Sequence, residues 1–223
     1  MIGFSLLYEL NYTNVLSMLD LAGLPFKSKD RDHRHPLIIA GGPCTCNPEP
    51  IADFFDAIVI GDGEEAVAEI SRMVASSKEI KLNRSGVIDE LGKIDGIYLP
   101  HRFRPDYDDQ GHILSVDPLE GGPAFVRRRV LSDLDRLDHL HRPLVPNARI
   151  VHDRLTVEIA RGCTRGCRFC QAGMTYRPVR ERSVEQVIEL AEQGIDNSGF
   201  DEISLLSLST GDYSCLPEVL PEL

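Results

Sequence analysis

The chain has 223 residues, of which 42% are hydrophobic and 26% charged. That balance excludes wholesale disorder, a collagen-like chain and a coiled coil. Asp and Glu total 35 against 24 Lys and Arg, and the formal charge of −11 excludes a general pull toward nucleic acid or an anionic membrane, while leaving room for a local basic patch. Tryptophan is absent and aromatics are 6%, which disfavours a base-stacking surface.

The first ten residues carry no basic run followed by a long apolar one, so they do not have the pattern of a secretory signal. No stretch approaches the roughly 18 apolar residues of a membrane helix. The expected location is cytoplasmic, with no membrane partner. Thiols stay reduced there, so the six cysteines are expected as free thiols, nucleophiles or metal ligands and not as a disulfide framework.

In chain order, Ile2–Leu6 is expected as a strand. Val15, Leu16, Leu19 and Ala22 fall at helical spacing over 13–22, with Gly23 just past the end. Leu37–Ala40 and Ala57–Ile60 are short buried strands, closed by Gly41-Gly42-Pro43 and Gly61-Asp62-Gly63. Ile51–Phe55 is expected to be helical. A helix is expected from about Glu64 to Ser76, with Glu64 and Glu65 in the first turn, where the helix dipole favours anions. Strands alternating with helices and made of continuous apolar runs predict a parallel sheet covered on both faces.

Residues 78–150 are less regular. Gly96–Pro100 is expected to be extended, and Arg127–Arg129 and 133–146 have the look of a connector over a surface. Alternation returns at Arg154–Ala160, where Leu155, Val157 and Ile159 face one way. Ser183-Val-Glu-Gln186 is a capping-box pattern that opens a helix expected to run to Gln193 and stop at Gly194. Glu202–Leu208 is the next strand, and Ser209-Thr210-Gly211-Asp212 ends it. Ligand chemistry in parallel α/β sheets gathers at such strand ends. The expected organisation is therefore α/β: a first region over 1–80, a connector over 81–150, and a second βα region over 151–223.

The central motif is Arg161-Gly-Cys163-Thr-Arg-Gly-Cys167-Arg-Phe-Cys170. Three thiols at C-x3-C-x2-C let one loop wrap a compact inorganic core, with Gly162 and Gly166 relaxing the backbone. Thiolates are soft and select iron–sulfur clusters, zinc or cuprous ions. A cubane held by three cysteines leaves one iron without a protein ligand, and an open coordination site is a chemical site. The competing reading is a zinc site completed by His152 or Cys215, although no second cysteine knuckle is evident.

Cys163-x3-Cys167-x-Phe169-Cys170 after the strand 157–159 resembles the signature of the radical S-adenosylmethionine (SAM) superfamily. The chain as a whole resembles a family of radical SAM proteins with an N-terminal cobalamin-binding-like domain. That resemblance is carried by segments 3–10, 40–43, 47–50, 60–65, 158–163, 170–173, 176–182 and 208–213. It implies a partial Rossmann-like (cobalamin-binding-like) parallel sheet over 1–80, then the first βα units of a radical SAM partial TIM barrel. Cys163, Cys167 and Cys170 would hold three irons of a [4Fe–4S] cluster, and the amine and carboxylate of SAM would chelate the fourth. Phe169 would lie near the adenine. Ser209, Thr210, Gly211 and Asp212 stand where the superfamily's Gly-Gly-Glu segment meets the methionine amine; Gly211-Asp212 matches it in part, and a plain strand-to-helix turn is the competing reading.

The implied chemistry is reductive cleavage of SAM to methionine and a 5′-deoxyadenosyl radical, which takes hydrogen from a substrate. No side chain is assigned as acid or base. The resemblance implies a reductant such as ferredoxin or flavodoxin and a substrate such as RNA or a small molecule. A non-catalytic iron–sulfur or zinc module for structure or electron transfer is the alternative. Cobalamin is a possible cofactor but not a favoured one: the cobalt-ligating pattern Asp-x-His-x-x-Gly is absent from these residues, and in the resembled family it would fall upstream of residue 1.

Six arginines between 161 and 182, opposed only by Glu181 among the acids, reverse the local charge. Most are expected as a solvated face. Cys44, Cys46, His33 and His35 are expected as free thiols and loop histidines, because residues two apart on an extended segment face opposite ways. Only 53 residues follow Cys170, room for about two βα units at about 30 residues each. A radical SAM core needs about six such units. The chain is therefore expected to be an internal fragment that does not turn over alone.

Overall fold

The computed structural model describes residues 1–137, 141–148 and 150–223; the remaining four positions of the expected 81–150 connector lie outside the described residues. The chain forms two compact units, Met1–Leu131 and Ser132–Leu223.

The first unit opens with β1 (Ile2–Ser5), α1 (Tyr12–Leu21), β2 (Ile38–Gly41), β3 (Ala57–Val59) and α2 (Glu64–Glu79). It continues with α3 (Arg84–Leu91), β4 (Ile97–Tyr98) and a hairpin of β5 (Phe103–Tyr107) and β6 (Ile113–Pro118). The sheet order is β1-β2-β3-β4. The first three strands are parallel, and β4 runs antiparallel against β3.

Period-2 alternation gives each sheet face its own apolar cluster. Ile38 and Ala40 of β2 pack with Leu6, Val15, Leu19 and Phe55, while Ile39 packs with Ala57, Val59, Ala66, Ile70 and Leu91. Each fully buried Ile or Leu contributes about 1.5–3 kcal/mol, so the central strand is held from both sides. The expected double covering is what forms.

Several elements differ from expectation. The segment expected to be helical at 51–55 is a 3-10 helix, Glu49–Phe54, entered through Pro48 and Pro50. Helix α2 runs three residues past Ser76. The irregular stretch holds α3, capped by Asn83, whose Oδ1 accepts from Gly86 N at 2.8 Å.

The second unit contains β7 (Leu155–Glu158), β8 (Ala160–Arg161), α4 (Ala172–Thr175), β9 (Arg180–Glu181), α5 (Val184–Ser198), β10 (Ile203–Leu206) and α6 (Leu216–Val219). β7 and β10 pair in parallel, Leu155 against Ile203, and α5 crosses between them. Val187, Leu190 and Ala191 of α5 bury against Leu155, Val157 and Ile159.

Ser183 caps α5 as its sequence predicts, accepting from Gln186 N at 3.3 Å. The reciprocal half of the capping box is supplied from elsewhere: Asp135, not Gln186, accepts from Ser183 N. Nor does the helix stop at Gly194. It continues to Ser198 and ends on Gly199, whose φ of +73° suits glycine. Gly194 lies mid-helix against β7, and a Cβ there would fall 2.6 Å from the Leu155 side chain. Close packing, not termination, is why this position is a glycine.

Candidate functional site

The cysteine loop leaves β7 through Ile159 and β8. Pairing of β8 with β9 closes its base, with Ala160 opposite Glu181 and Arg161 opposite Arg180, and the loop ends in α4. Gly162 has φ +94°, and a Cβ on it would lie 2.7 Å from the carbonyl oxygens of Tyr176 and Pro178. Only glycine lets the two limbs approach this closely.

Cys163 is half-buried, Cys167 and Cys170 are exposed, and none is in a disulfide. Arg165 N–H points to Cys163 Sγ at 3.5 Å, and Cys170 N donates to Cys167 O at 3.1 Å. Among the described residues, no three His, Cys, Asp or Glu side chains are drawn together as a ligand group. The thiols thus stand on an open loop. Cys215 packs beside the second-unit core at the start of α6, and His152 is exposed. Phe169 presents its ring to solvent, 93% exposed.

The 3-10 turn after β10, Thr210–Asp212, meets this loop. Arg165, between the first two cysteines, donates to Asp212 from Nε at 2.5 Å and also from Nη2. Asp212 Oδ2 accepts from Ser209 Oγ at 2.7 Å, and Asp212 N donates to Ser209 O. Thr210 shares a hydroxyl contact with Ser207 at 3.0 Å. The Arg165 guanidinium, followed by the Ser209 hydroxyl, holds the Asp212 carboxyl below the usual carboxylate range. Gly211 has open space around its Cα. Of the residues singled out in the sequence, the structure therefore joins the cysteine loop to Ser209 and Asp212, and leaves the Phe169 ring apart from them.

The arginine cluster divides by burial. Arg165, Arg168 and Arg177 are exposed, as a solvated face requires. Arg161 instead forms a two-bond pair with Glu158, both bonds 2.9 Å. Arg180 and Arg182 are buried. Arg182 donates to Glu158 O at 2.8 Å and to Leu134 O at 2.5 Å, and Tyr213 Oη donates to Arg182 O at 2.9 Å. These arginines hold the floor of the loop, a role that charge counting did not reveal.

In the first unit, the two glycine loops at the strand ends are engaged by the chain itself. A Cβ on Gly42 would lie 2.9 Å from Leu6 backbone atoms. At Gly61 it would lie 2.0 Å from Arg129 O. Arg129 N donates to Ile60 O, Asp62 N to Arg129 O, and Leu131 N to Asp62 Oδ2. Segment 129–131 is thereby laid along the end of β3.

Two family models match the chain. The one described as "Radical SAM proteins, N-terminal" covers residues 1–100, and the one described as "Radical SAM superfamily" covers residues 157–220. The chain belongs to the radical SAM superfamily. An uncharacterized protein of Methanocaldococcus jannaschii is 26% identical over 219 residues, covering 98% of this chain and 40% of that protein. The threonylcarbamoyladenosine tRNA methylthiotransferase MtaB of Bacillus subtilis is 32% identical over 96 residues, 43% of this chain and 19% of that protein.

Among solved structures, the radical SAM methyltransferase TsrM from Kitasatospora setae, bound to tryptophan and a SAM analogue, superposes with a TM-score of 0.51. That match covers 99% of this chain and 39% of TsrM at 14% identity, so it speaks for the fold alone. This radical SAM chain spans about two fifths of the length of the relative it matches end to end. No helix among the described residues is long and apolar enough to cross a membrane.

Proposed function

We propose that this chain carries the cofactor-binding start of a radical SAM enzyme, with Cys163, Cys167 and Cys170 holding a [4Fe–4S] cluster. The observation that supports it most is the open loop of three unpaired thiols, tied directly to the end of the neighbouring parallel strand through Arg165 and Asp212. The donor set fits the group: three soft thiolates on one loop, none used elsewhere in the fold. When bound, the cluster with its reductant supplies one electron that cleaves SAM to methionine and a 5′-deoxyadenosyl radical for hydrogen abstraction.

The chain's own residues position and shield. Gly162 lets the loop fold back on Tyr176 and Pro178. Arg161 is held by Glu158 through two bonds, which fixes the entry to the loop. Ser209–Asp212 offers hydroxyls and one carboxylate to the methionine end of the cofactor, and the exposed Phe169 ring is available to the adenine.

Cobalamin is left open, and no step of the proposal uses it. The substrates named for the relatives, a tRNA nucleoside and tryptophan, belong to different classes, so neither is carried over. The chain spans 40% of the relative it matches end to end, and the expectation that it gives no turnover alone is why the test uses the full-length protein.

The test is 5′-deoxyadenosine formation by anaerobically reconstituted, reduced full-length protein given SAM. Product that disappears in the Cys163→Ala, Cys167→Ala and Cys170→Ala variants is expected. An intact four-iron cluster with no product would move the reading to an electron-transfer or structural module, and zinc without sulfide would end it.

A further inference from the structure

Asp212 is the only carboxylate of the segment Ser209–Asp212, and both of its oxygens are already engaged. Oδ2 accepts from Arg165 Nε at 2.5 Å and from Ser209 Oγ at 2.7 Å, and Oδ1 accepts from Arg165 Nη2. A planar guanidinium meeting a carboxylate through two bonds is the best-formed kind of ion pair. This one links residues 47 apart in sequence, from between two cysteines of the loop to the 3-10 turn after β10.

The pair is well formed yet easily opened. Its side chains are 63% and 34% exposed, so water and salt screen it and its net strength is small. An incoming amine cannot simply add to it. Most of the lone-pair positions on Asp212 are taken, so a further N–H donor has to take the place of a guanidinium bond. The two donors compete for one carboxylate.

We propose that Arg165 is a positioning residue that closes over Asp212 and is displaced by the methionine amine of SAM. The inference rests on the reading that Ser209–Asp212 receives the methionine end of the cofactor. Arg165 is tethered in the cysteine loop, so opening the bridge couples cofactor arrival to release of that loop from the strand end. The cost of opening appears as weakened cofactor affinity.

The experiment is equilibrium dialysis of labelled SAM against anaerobically reconstituted full-length protein. Iron, acid-labile sulfide and the electron paramagnetic resonance signal of the reduced cluster are measured on every sample. Removing the competitor in Arg165→Ala is expected to lower the Kd about threefold to fivefold, the scale of one exposed ion pair. Arg165→Lys keeps the charge but loses the two-bond fork, so a smaller gain is expected. Raised salt narrows the gap between wild type and Arg165→Ala. Asp212→Asn raises the Kd and removes the effect of Arg165→Ala in the double variant.

An Arg165→Ala protein that binds SAM equally or more weakly, at unchanged iron content, overturns the proposal and leaves the cofactor reading standing. If Arg165→Ala fails to take up iron, Arg165→Lys decides by the same criterion. An Asp212→Asn protein that binds like wild type in both backgrounds removes the strand-end reading, and the latch with it. Wild-type protein that takes up no iron and sulfide overturns both.

Discussion

Arg182 Nε donates to the main-chain oxygen of Glu158 at 2.8 Å, a part-buried bond between the residue after β9 and the last residue of β7. Nη1 of the same guanidinium reaches Leu134 O, and Arg182 O accepts from Tyr213. One residue thus joins the strand that feeds the cysteine loop and the segment before it through its side chain, and the turn after β10 through its main-chain oxygen. Burial lowers the Arg182 pKa, but an arginine stays charged at neutral pH. Arg182→Met keeps the bulk and removes the bonds to Glu158 O and Leu134 O, the latter keeping Leu137 N as a partner. At about 1.5–3 kcal/mol for each hydrogen bond from a charged donor, a loss of about 3–6 kcal/mol is expected in urea unfolding. A midpoint unchanged from wild type would show that water replaces the guanidinium at no cost.

Gly194 and Leu155 make a second prediction. A methyl group at 194 would overlap the Leu155 side chain, with contacts of 2.6 and 2.7 Å. Alanine gains about 1 kcal/mol of helix propensity, while overpacking costs about 1–3 kcal/mol. Gly194→Ala is therefore expected to be neutral to destabilising by about 2 kcal/mol. Leu155→Val beside it should recover part of that loss. Stabilisation by Gly194→Ala alone, read as a raised Tm, would mean that the helix shifts freely against β7.

The contrast at Gly194 shows where the sequence was legible. Strands made of continuous apolar runs were plain, because Leu37–Ala40 and Ala57–Ile60 leave little choice but burial on both faces. The cysteine motif was plain because its spacing is local. Gly194 was ambiguous: a glycine near a helix end serves as a terminator or as a contact, and only the position of Leu155 decides. The two-residue strand β4 is too short to carry a pattern, and its antiparallel direction comes from pairing with β3. The β5–β6 hairpin was hidden because Ile113, Leu114 and Val116 are exposed and do not alternate with polar residues toward a core. The arginines showed local charge in sequence, but burial of Arg180 and Arg182, and the pairing of Arg165 with Asp212, are tertiary facts.

Asp56 makes a third prediction, in the first unit. Its side chain is fully buried. It accepts from Ile38 N at 2.7 Å and Ser28 Oγ at 2.5 Å, and pairs with Arg84 at 2.7 Å and Arg31 at 3.3 Å. The Arg31 side chain is also fully buried and its Nε has no partner, so two cations depend on one carboxylate. Asp56→Asn leaves an uncompensated buried charge, and breaking such a pair costs about 3–5 kcal/mol. Poor expression of the variant, or a midpoint lowered by that amount, is expected. A change below about 1 kcal/mol would place it with exposed ion pairs.

Tyr213 follows Asp212 directly, so its anchor on Arg182 O fixes the turn that presents Asp212. Burial, with nearby acidic groups, pushes its hydroxyl up to about 12. For an acid with a raised folded pKa, the unfolded chain loses its proton first. Between the unfolded value of about 10 and about 12, the folded state therefore binds more protons than the unfolded state. Stability from this group is then flat below pH 10 and falls as pH rises from 10 toward 12. Tyr213→Phe removes the titrating group along with its hydrogen bond. It is expected to be about 1 kcal/mol less stable at neutral pH, with a shallower alkaline decline. Parallel alkaline declines for wild type and Tyr213→Phe would show that this hydroxyl is not the group being titrated.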